Sequence, residues 1–343
     1  MAHRRLVVWI HSDRYPTWSI PPATVRRLED IAGPGWEVES IEIDAVASGD
    51  GVADVPARVR EAVEDAEIYF GFGIPDAVIR HGAELRWVHS AAAGVRTSLS
   101  GPLGDSDVLF TNSAGVYGPP LGEWAIGGML HFARGFDIVA ATDDPWPYDA
   151  MAAEGHPLRE LAGSHVTVVG YGGIGSEVGR RAHALGMRVT AVRAHPDRPT
   201  PEEVERVYGP DEVGEAVAEA HYVVLALAET AGTEGLVDRE LLAKLRPDCV
   251  LLNLSRGSIV DEPALIEALR AGRLRGAALD VFATEPLPAD SPLPELPKVL
   301  ATPHAGSVSP RFWERQSELM AGNLARYLRG EELVNLVDRQ RGY

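Results

Sequence analysis

His165-Val-Thr-Val-Val-Gly170-Tyr-Gly172-Gly173-Ile174-Gly175-Ser-Glu-Val-Gly179 is the stretch from which the fold can be read. A valine-rich run of this length predicts a buried parallel strand. It stops at a glycine-dense turn, and Ile174 to Leu185 then follows helical spacing until Gly186 ends it. The turn is Gly-x-Gly-x-x-Gly in the strand-turn-helix setting that gives the pattern meaning. Gly170 allows a tight turn, Gly172 lets backbone approach a pyrophosphate, and Gly175 lets helix pack on strand. The unpaired N–H groups and the dipole at the helix start attract phosphate, with Gly173 and Ile174 inside that first turn. Glycine is abundant in this chain, so the competing reading is a merely structural turn. The strand before and the helix after favour a dinucleotide site.

Outward from that point the rhythm is strand, helix, strand. Further strands are expected at Arg188–Val192, His221–Leu227, Val250–Leu254, Ala277–Val281 and Val299–Ala301. Helices fill the gaps at Asp238–Leu245 and Asp261–Ala271, the second with Asp261 as cap, Pro263 in its first turn and Gly272 at its stop. Such alternation implies a doubly wound parallel sheet with right-handed crossovers. Upstream, Leu6–Ile10, Glu37–Ile43, Ile68–Phe72, Trp87–Ser90 and Val108–Asn112 read as strands, with helices at Thr24–Ile31 and Arg58–Glu64. They form a smaller α/β unit. A long apolar helix, Leu121–Phe136, follows it, with so little polar surface that burial at a domain or subunit interface is expected. Thr142–Leu161 is irregular, and its Trp146 could rest on a partner. Pro310–Arg329 is a last amphipathic helix, closed by Gly330.

The expected fold class is therefore α/β, with two Rossmann-like domains on parallel sheets.

Composition removes several classes of function. A formal charge of −18 argues against nucleic acid, whose nonspecific binding relies on basic patches. Cys249 is the only cysteine, so no intrachain disulfide or cysteine cluster is possible, and its apolar surroundings predict a buried, inert thiol. The longest apolar run, Tyr222–Ala228, is too short to span a bilayer. No targeting segment stands out, and the cytoplasm is the expected compartment.

Ligands of an open parallel sheet sit beyond the carboxyl ends of its strands. Arg256 follows one such strand, Asp280 and Glu285 end or follow the next, and His304 follows the last after Thr302-Pro303. One arginine, one carboxylate and one histidine suit reduction of a 2-oxo acid. A guanidinium fork can hold a carboxylate and polarise the adjacent carbonyl. An imidazole changes charge near neutral pH and can give a proton to oxygen as hydride reaches carbon. A glutamate beside it would favour the imidazolium and fix the ring tautomer. Taken singly, an arginine after a strand is usually a surface ion pair and a histidine after proline a satisfied loop residue. His89, in its strand before Gly94, could line a pocket or be a buried structural histidine. No His/Asp/Glu spacing suggests a metal.

Three stretches carry a resemblance: Val250-Leu-Leu-Asn-Leu-Ser-Arg256-Gly-Ser-Ile-Val-Asp-Glu, Ala278-Leu-Asp280-Val-Phe-Ala-Thr-Glu285-Pro-Leu-Pro and Ala301-Thr-Pro-His304-Ala-Gly. With Trp87-Val-His-Ser-Ala-Ala-Ala93-Gly94-Val and Thr111-Asn-Ser-Ala-Gly-Val-Tyr-Gly-Pro-Pro-Leu-Gly-Glu123, they resemble the signatures of the D-isomer-specific 2-hydroxyacid dehydrogenases, glyoxylate/hydroxypyruvate reductases among them. The similarity covers nearly the whole chain and implies a discontinuous substrate domain at 1–117 and 305–343, a dinucleotide-binding domain at 118–304 and an active site in the cleft between them. It implies that Arg256 binds substrate, that Glu285 and His304 form the proton-transfer pair and that Asp280 holds the nicotinamide carboxamide. It further implies that backbone at Ala93 and Gly94 grips the substrate carboxylate, that Thr230 lines the cofactor ribose, and that the protein is a homodimer with Leu121–Phe136 at the interface. Two positions depart from the family. Arg96 stands where an acidic or amide residue is common, and Ala228 replaces the proline of the Pro-x-Thr-x-x-Thr segment.

An acid about twenty residues past the glycine turn would bond the 2′-hydroxyl of NAD. Here that place is Arg193, and Arg193, His195 and Arg198 form a small cationic cluster suited to a 2′-phosphate. NADP is expected ahead of NAD, the other reading being solvated loop charges with Asp197 as a displaced acid. Two other functions stay open: a formate dehydrogenase-like enzyme, against which Pro303 stands where that group has Gln, and an NAD(H)-sensing corepressor-like binding protein on the same scaffold.

Overall fold

The computed structural model describes residues 4–45, 54–153 and 158–342. The chain forms two compact units, Met1–Val116 with Ser309–Tyr343, and Tyr117–Val308.

In the first unit β1 (Arg4–Trp9), β2 (Trp36–Ser40), β3 (Ile68–Gly71), β4 (Trp87–Ser90) and β5 (Leu109–Thr111) form a parallel sheet in the order β2-β1-β3-β4-β5. Side chains alternate between two buried faces, as a parallel sheet covered on both sides requires. Val7, Tyr69, Val88 and Phe110 point into one core, and Leu6, Val8, Ile68, Phe70 and Trp87 into the other. The last helix, Phe312–Arg329, covers the second face with Met320 and Leu324, and Gly330 in the left-handed region (φ +69°) ends it.

The second unit is built on β6 (His165–Val169), β7 (Arg188–Val192), β8 (Arg206–Tyr208), β9 (Tyr222–Leu225), β10 (Val250–Asn253), β11 (Gly276–Leu279) and β12 (Val299–Ala301). Their order is β12-β11-β10-β9-β6-β7-β8, parallel at every pairing. The strand order reverses between β6 and β9, which is where this class of sheet takes a ligand. Tyr222, Val224, Val250 and Leu252 fill one core, and Val223, Leu225 and Leu251 the other. Local chemistry starts the helices where the sequence predicts. Asp238 accepts a hydrogen bond from the Leu241 amide at 2.8 Å, and Asp261 one from the Ala264 amide at 3.0 Å.

The apolar helix lies at Gly118–Ala133 rather than 121–136. Pro119 and Pro120 sit in the first turn, where a missing N–H costs nothing. Gly135 then adopts φ +68° and closes the helix, and a short second helix runs over Phe136–Ala140. Leu121, Ala125, Met129 and Phe132 are buried in the second unit's own core, so much of the apolar surface of this helix is used inside that unit. Past the break, Asp137 is gripped by Arg275, the residue before β11, through two bonds of 2.6 and 2.9 Å, both residues buried. Removing one partner of such a pair would cost about 3–5 kcal/mol.

Residues 154–157 of the irregular Thr142–Leu161 segment lie outside the described residues. Trp146 of that segment is 77% exposed. The chain leaves the second unit after Val308, four residues beyond the expected boundary at His304. The cause is Asp280, whose carboxylate holds the Ala305 and Gly306 amides to β11.

Candidate active site

The carboxyl ends of the second sheet carry the candidate residues in spatial order. His304 follows β12, Asp280 and Glu285 follow β11, Arg256 follows β10, Thr230 follows β9, the glycine turn follows β6, and Arg193 follows β7. At about 4.8 Å per strand, the row spans about 24 Å.

His304 Nδ1 lies 2.7 Å from Glu285 Oε2. A carboxylate only accepts, so Nδ1 carries the proton and Nε2 is the nitrogen left for exchange with a ligand. The side chains are 39% and 34% exposed, so solvent can re-protonate the ring. The Glu285 bond raises the His304 pKa above its ordinary value, burial opposes the rise, and the Arg256 charge opposes it further. For Glu285, burial pushes upward, but the bond from His304 and the His304 and Arg256 charges win and hold its pKa down. The Arg256 charge therefore acts on both members of the pair. Glu285 Oε1 is fixed by the Phe282 amide at 3.0 Å.

The His304 backbone is held in the left-handed region (φ 51°), uncommon for any residue but glycine, although histidine enters it more readily than most. Such strain persists only where neighbours over-determine it. Here the restraint is Asp280, which is 1% exposed. Its Oδ1 accepts from the Thr302 hydroxyl at 2.6 Å, the Ala305 amide at 2.9 Å and the Gly306 amide at 3.0 Å, on both sides of His304. The Asp280 carbonyl takes the His304 amide itself at 2.8 Å. Burial raises the Asp280 pKa against those bonds. The carboxylate thus has a part in shaping the His304 loop that its position in the sequence did not disclose.

Arg256 is set by residues that sequence reasoning passed over. Asn253, 1% exposed, donates from Nδ2 to the Arg256 carbonyl at 2.9 Å and accepts from the Ser255 amide at 3.0 Å. Arg256 Nη1 donates to the Ser255 carbonyl at 2.8 Å. A Cβ on Gly257 would stand 1.9 Å from the Phe282 carbonyl carbon, so the loops after β10 and β11 meet only because that residue is glycine. The available signal was a polar Asn at the end of an apolar strand and a glycine directly after the arginine.

At the glycine turn the three positions differ as their physics demands. Gly170 has φ +95°, and its Cβ would lie 2.6 Å from the Ala226 carbonyl. A Cβ on Gly175 would fall 2.0 Å from the Gly170 oxygen. At Gly172 a Cβ would meet nothing within 4 Å, so no packing inside the protein asks for glycine there. An open cradle at the start of the helix Gly173–Ala184 fits a pyrophosphate. Thr230 belongs to a hydroxyl-braced turn, its amide donating to Thr233 Oγ1 at 2.8 Å, and Thr233 Oγ1 to the Ala228 carbonyl at 2.8 Å. Arg193 turns its guanidinium onto the carbonyls of Arg198 and Pro199, leaving Nε buried without a hydrogen-bond partner. It therefore braces the loop on which His195 and the exposed Arg198 sit.

Within the first unit, Ala93 and Gly94 lie in the bend after β4 and are half-buried. His89 is a core residue, 0% exposed, with Nδ1 2.9 Å from Thr111 Oγ1 and its pKa pushed down to about 3 by burial. Cys249 is buried, its thiol pushed up to about 12 by desolvation. Among the described residues, no helix is long and apolar enough to cross a membrane.

Comparison with known proteins gives the family that this chain resembles. Residues 126–306 match the model of the D-isomer specific 2-hydroxyacid dehydrogenase NAD-binding domain. A glyoxylate/hydroxypyruvate reductase A of Klebsiella pneumoniae is 34% identical over 78% of this chain and 85% of its own length. A D-3-phosphoglycerate dehydrogenase of Methanocaldococcus jannaschii is 30% identical over 81% of this chain, which spans only 53% of that longer relative. Among solved structures, a D-isomer specific 2-hydroxyacid dehydrogenase of Xanthobacter autotrophicus Py2 in complex with NADPH and MES superposes with a TM-score of 0.78, at 27% identity and full coverage of both chains. The chain belongs to the D-isomer specific 2-hydroxyacid dehydrogenase family and is an NAD(P)-dependent oxidoreductase.

Proposed function

We propose that this protein reduces a small 2-oxo acid, glyoxylate or hydroxypyruvate, to the corresponding 2-hydroxy acid, of D configuration where C2 is a stereocentre, with NADPH as the favoured reductant. The observation that carries the reading is the 2.7 Å contact of His304 with Glu285 under the charge of Arg256. Bound NADPH would supply the hydride. Arg256 pairs with the substrate carboxylate and draws electron density from the carbonyl, and the family resemblance assigns carboxylate binding to the amides at Ala93 and Gly94 as well. His304 gives its Nε2 proton to the carbonyl oxygen as the carbon is reduced, Glu285 stabilises the imidazolium that gives it, and solvent restores the proton. Asp280 keeps the His304 loop in place, and the family resemblance assigns it the nicotinamide carboxamide as well.

The name of the Klebsiella relative supports the substrate class. A structural neighbour from Rhizobium etli, 26% identical with a TM-score of 0.76, is described in complex with NADP, which supports NADPH, as does the Arg193, His195, Arg198 loop. We place the protein in the cytoplasm as a homodimer. Phe136, Val139, Trp146 and Tyr148 are between 48% and 77% exposed within one stretch, apolar surface of the kind a second copy would cover.

The test is turnover of a panel of 2-oxo acids with NADPH and NADH. Glyoxylate or hydroxypyruvate should lead, with NADPH ahead of NADH. Arg256→Ala should lower kcat/KM by about 10²- to 10³-fold with cofactor affinity kept. Tight cofactor binding without turnover of any acid would point to a sensing protein instead. An Arg256→Ala variant as fast as the parent would remove arginine from the proposal.

A further inference from the structure

The bend after β4 is held from one side by two consecutive residues that follow β5. The Ser113 amide donates to the Ala92 carbonyl at 3.1 Å, and Asn112 Nδ2 donates to the Ala93 carbonyl at 2.7 Å. A trans peptide is planar, with its N–H antiparallel to its C=O. Fixing the carbonyls of Ala92 and Ala93 toward the Asn112–Ser113 segment therefore turns the N–H groups of Ala93 and Gly94 away from it. Among the described residues, neither N–H donates to another protein group.

The orientation of the Asn112 amide follows from its partners. Its Oδ1 accepts from the Ala114 amide at 3.2 Å, so the NH2 end must be the one facing Ala93. The residue is 6% exposed, and its own backbone is clamped. The Asn112 amide donates to the Asn335 carbonyl at 3.2 Å, and Asn335 Nδ2 donates back to the Asn112 and Ala114 carbonyls at 3.3 and 2.8 Å. Asn335 does this from the left-handed region (φ 59°), on a C-terminal segment bridged to β5 through Thr111 and Leu336. Below the bend, Ser90 Oγ takes the amides of Gly73 at 3.0 Å and Ala92 at 3.1 Å. The bend is built so that one side chain sets the direction of the Ala93–Gly94 peptide.

We infer that Asn112 is a positioning residue for the substrate carboxylate: by holding the Ala93 carbonyl it aims the Gly94 N–H, with the Ala93 N–H beside it, at one anionic group. This rests on the proposed reduction of a 2-oxo acid. Asn112 touches no reacting atom, so its loss should appear in substrate affinity and spare the cofactor.

The experiment compares the parent protein with Asn112→Asp, which keeps the shape and loses the donor. At about pH 8 the KM for glyoxylate and the dissociation constant for oxalate should rise about 10- to 100-fold, with NADPH affinity unchanged and kcat little altered. Lowering the pH to about 5.5 should shrink the ratio of variant to parent KM, because a protonated carboxyl can again donate to the Ala93 oxygen. An Asn112→Asp protein with parental KM overturns the inference. So does one that loses substrate, cofactor and kcat together without recovery in acid. If Asn112→Asp does not fold, Asn112→Ser serves: a raised KM with intact NADPH binding supports the assignment, and an unchanged KM removes it. A parent protein that reduces no 2-oxo acid and binds no oxalate would instead overturn the proposed function, and the inference with it.

Discussion

At the carboxyl end of the second sheet, His304 presents a protonated Nδ1 to Glu285 across 2.7 Å. At the amino end, His221 uses the same atom in the opposite sense, accepting the His165 backbone N–H at 3.0 Å. The two rings belong to one sheet and one class of side chain, yet their pKa values move apart. His304 is raised by its glutamate partner. His221 is lowered to about 4, first by burial and then by the charges of Arg159 and Arg246, against which Asp248 pulls weakly. A hydrogen-bond partner that only accepts favours the charged ring, and one that only donates forbids it. The difference separates a histidine fit to give a proton from one fit to hold a strand in place.

The largest effect should come from His304. His304→Gln removes the proton donor and keeps a polar side chain of similar reach, so kcat for 2-oxo acid reduction should fall by about 10²- to 10⁴-fold with NADPH affinity unchanged. Steady-state kinetics and a cofactor titration on the same preparation check this. A loss below tenfold would show that the proton reaches the substrate by another route.

Glu285→Gln sharpens the comparison by taking away the partner while leaving the ring. With its pKa raised above the ordinary histidine value by Glu285, His304 keeps its proton to higher pH than a free imidazole would, and reduction should decline only as pH rises through that raised value. In the variant the declining limb should move to lower pH, with a loss of about tenfold at alkaline pH and a smaller one in acid. A pH–kcat/KM profile with an unmoved limb would mean that Glu285 does not set the ring's charge.

Much of this was legible in the sequence where the chemistry is local. The glycine turn, the Asp261 cap and the strand ends before Arg256 and His304 lie where their spacing puts them. Reduction of a 2-oxo acid was suggested by residue types far apart in the chain, and parallel topology is what collects them along one edge. What escaped has physical causes. The strand Arg206–Tyr208 is a three-residue edge strand without an apolar run, so periodicity could not reveal it. The helix end at Gly135 looked like mid-helix because Phe132 and Ala133 before it and Phe136 after it carry the apolar pattern across Arg134. The contacts of Asp280 with Thr302, Ala305 and Gly306, and of Arg193 with Arg198 and Pro199, depend on loop conformation, on which one-dimensional patterns carry no information.

The smallest expected effect lies at the amino end of the sheet and concerns stability. The His221 pKa is depressed in the fold to about 4, so the unfolded chain binds its proton first. The stability it contributes is complete above about pH 6.5 and is lost as pH falls toward 4. His165 is lowered as well, chiefly by burial, with Nδ1 3.2 Å from the Glu219 carbonyl and Nε2 2.8 Å from the Thr190 hydroxyl, and it adds in the same direction. His304 works in the opposite sense, its contribution being full below about pH 6.5 and lost as pH rises through the raised value, while the share of Glu285 is lost only below its ordinary carboxylate range. Thermal unfolding of the parent should therefore show Tm falling on acidification from about pH 7 to pH 5, by on the order of 3 °C. His221→Gln offers an amide oxygen that can accept the His165 N–H without titrating, and it should flatten that slope while leaving turnover at neutral pH unchanged. A variant with the parental slope would show that acid sensitivity arises elsewhere, and the contrast between the two ends of the sheet would then be one of geometry alone.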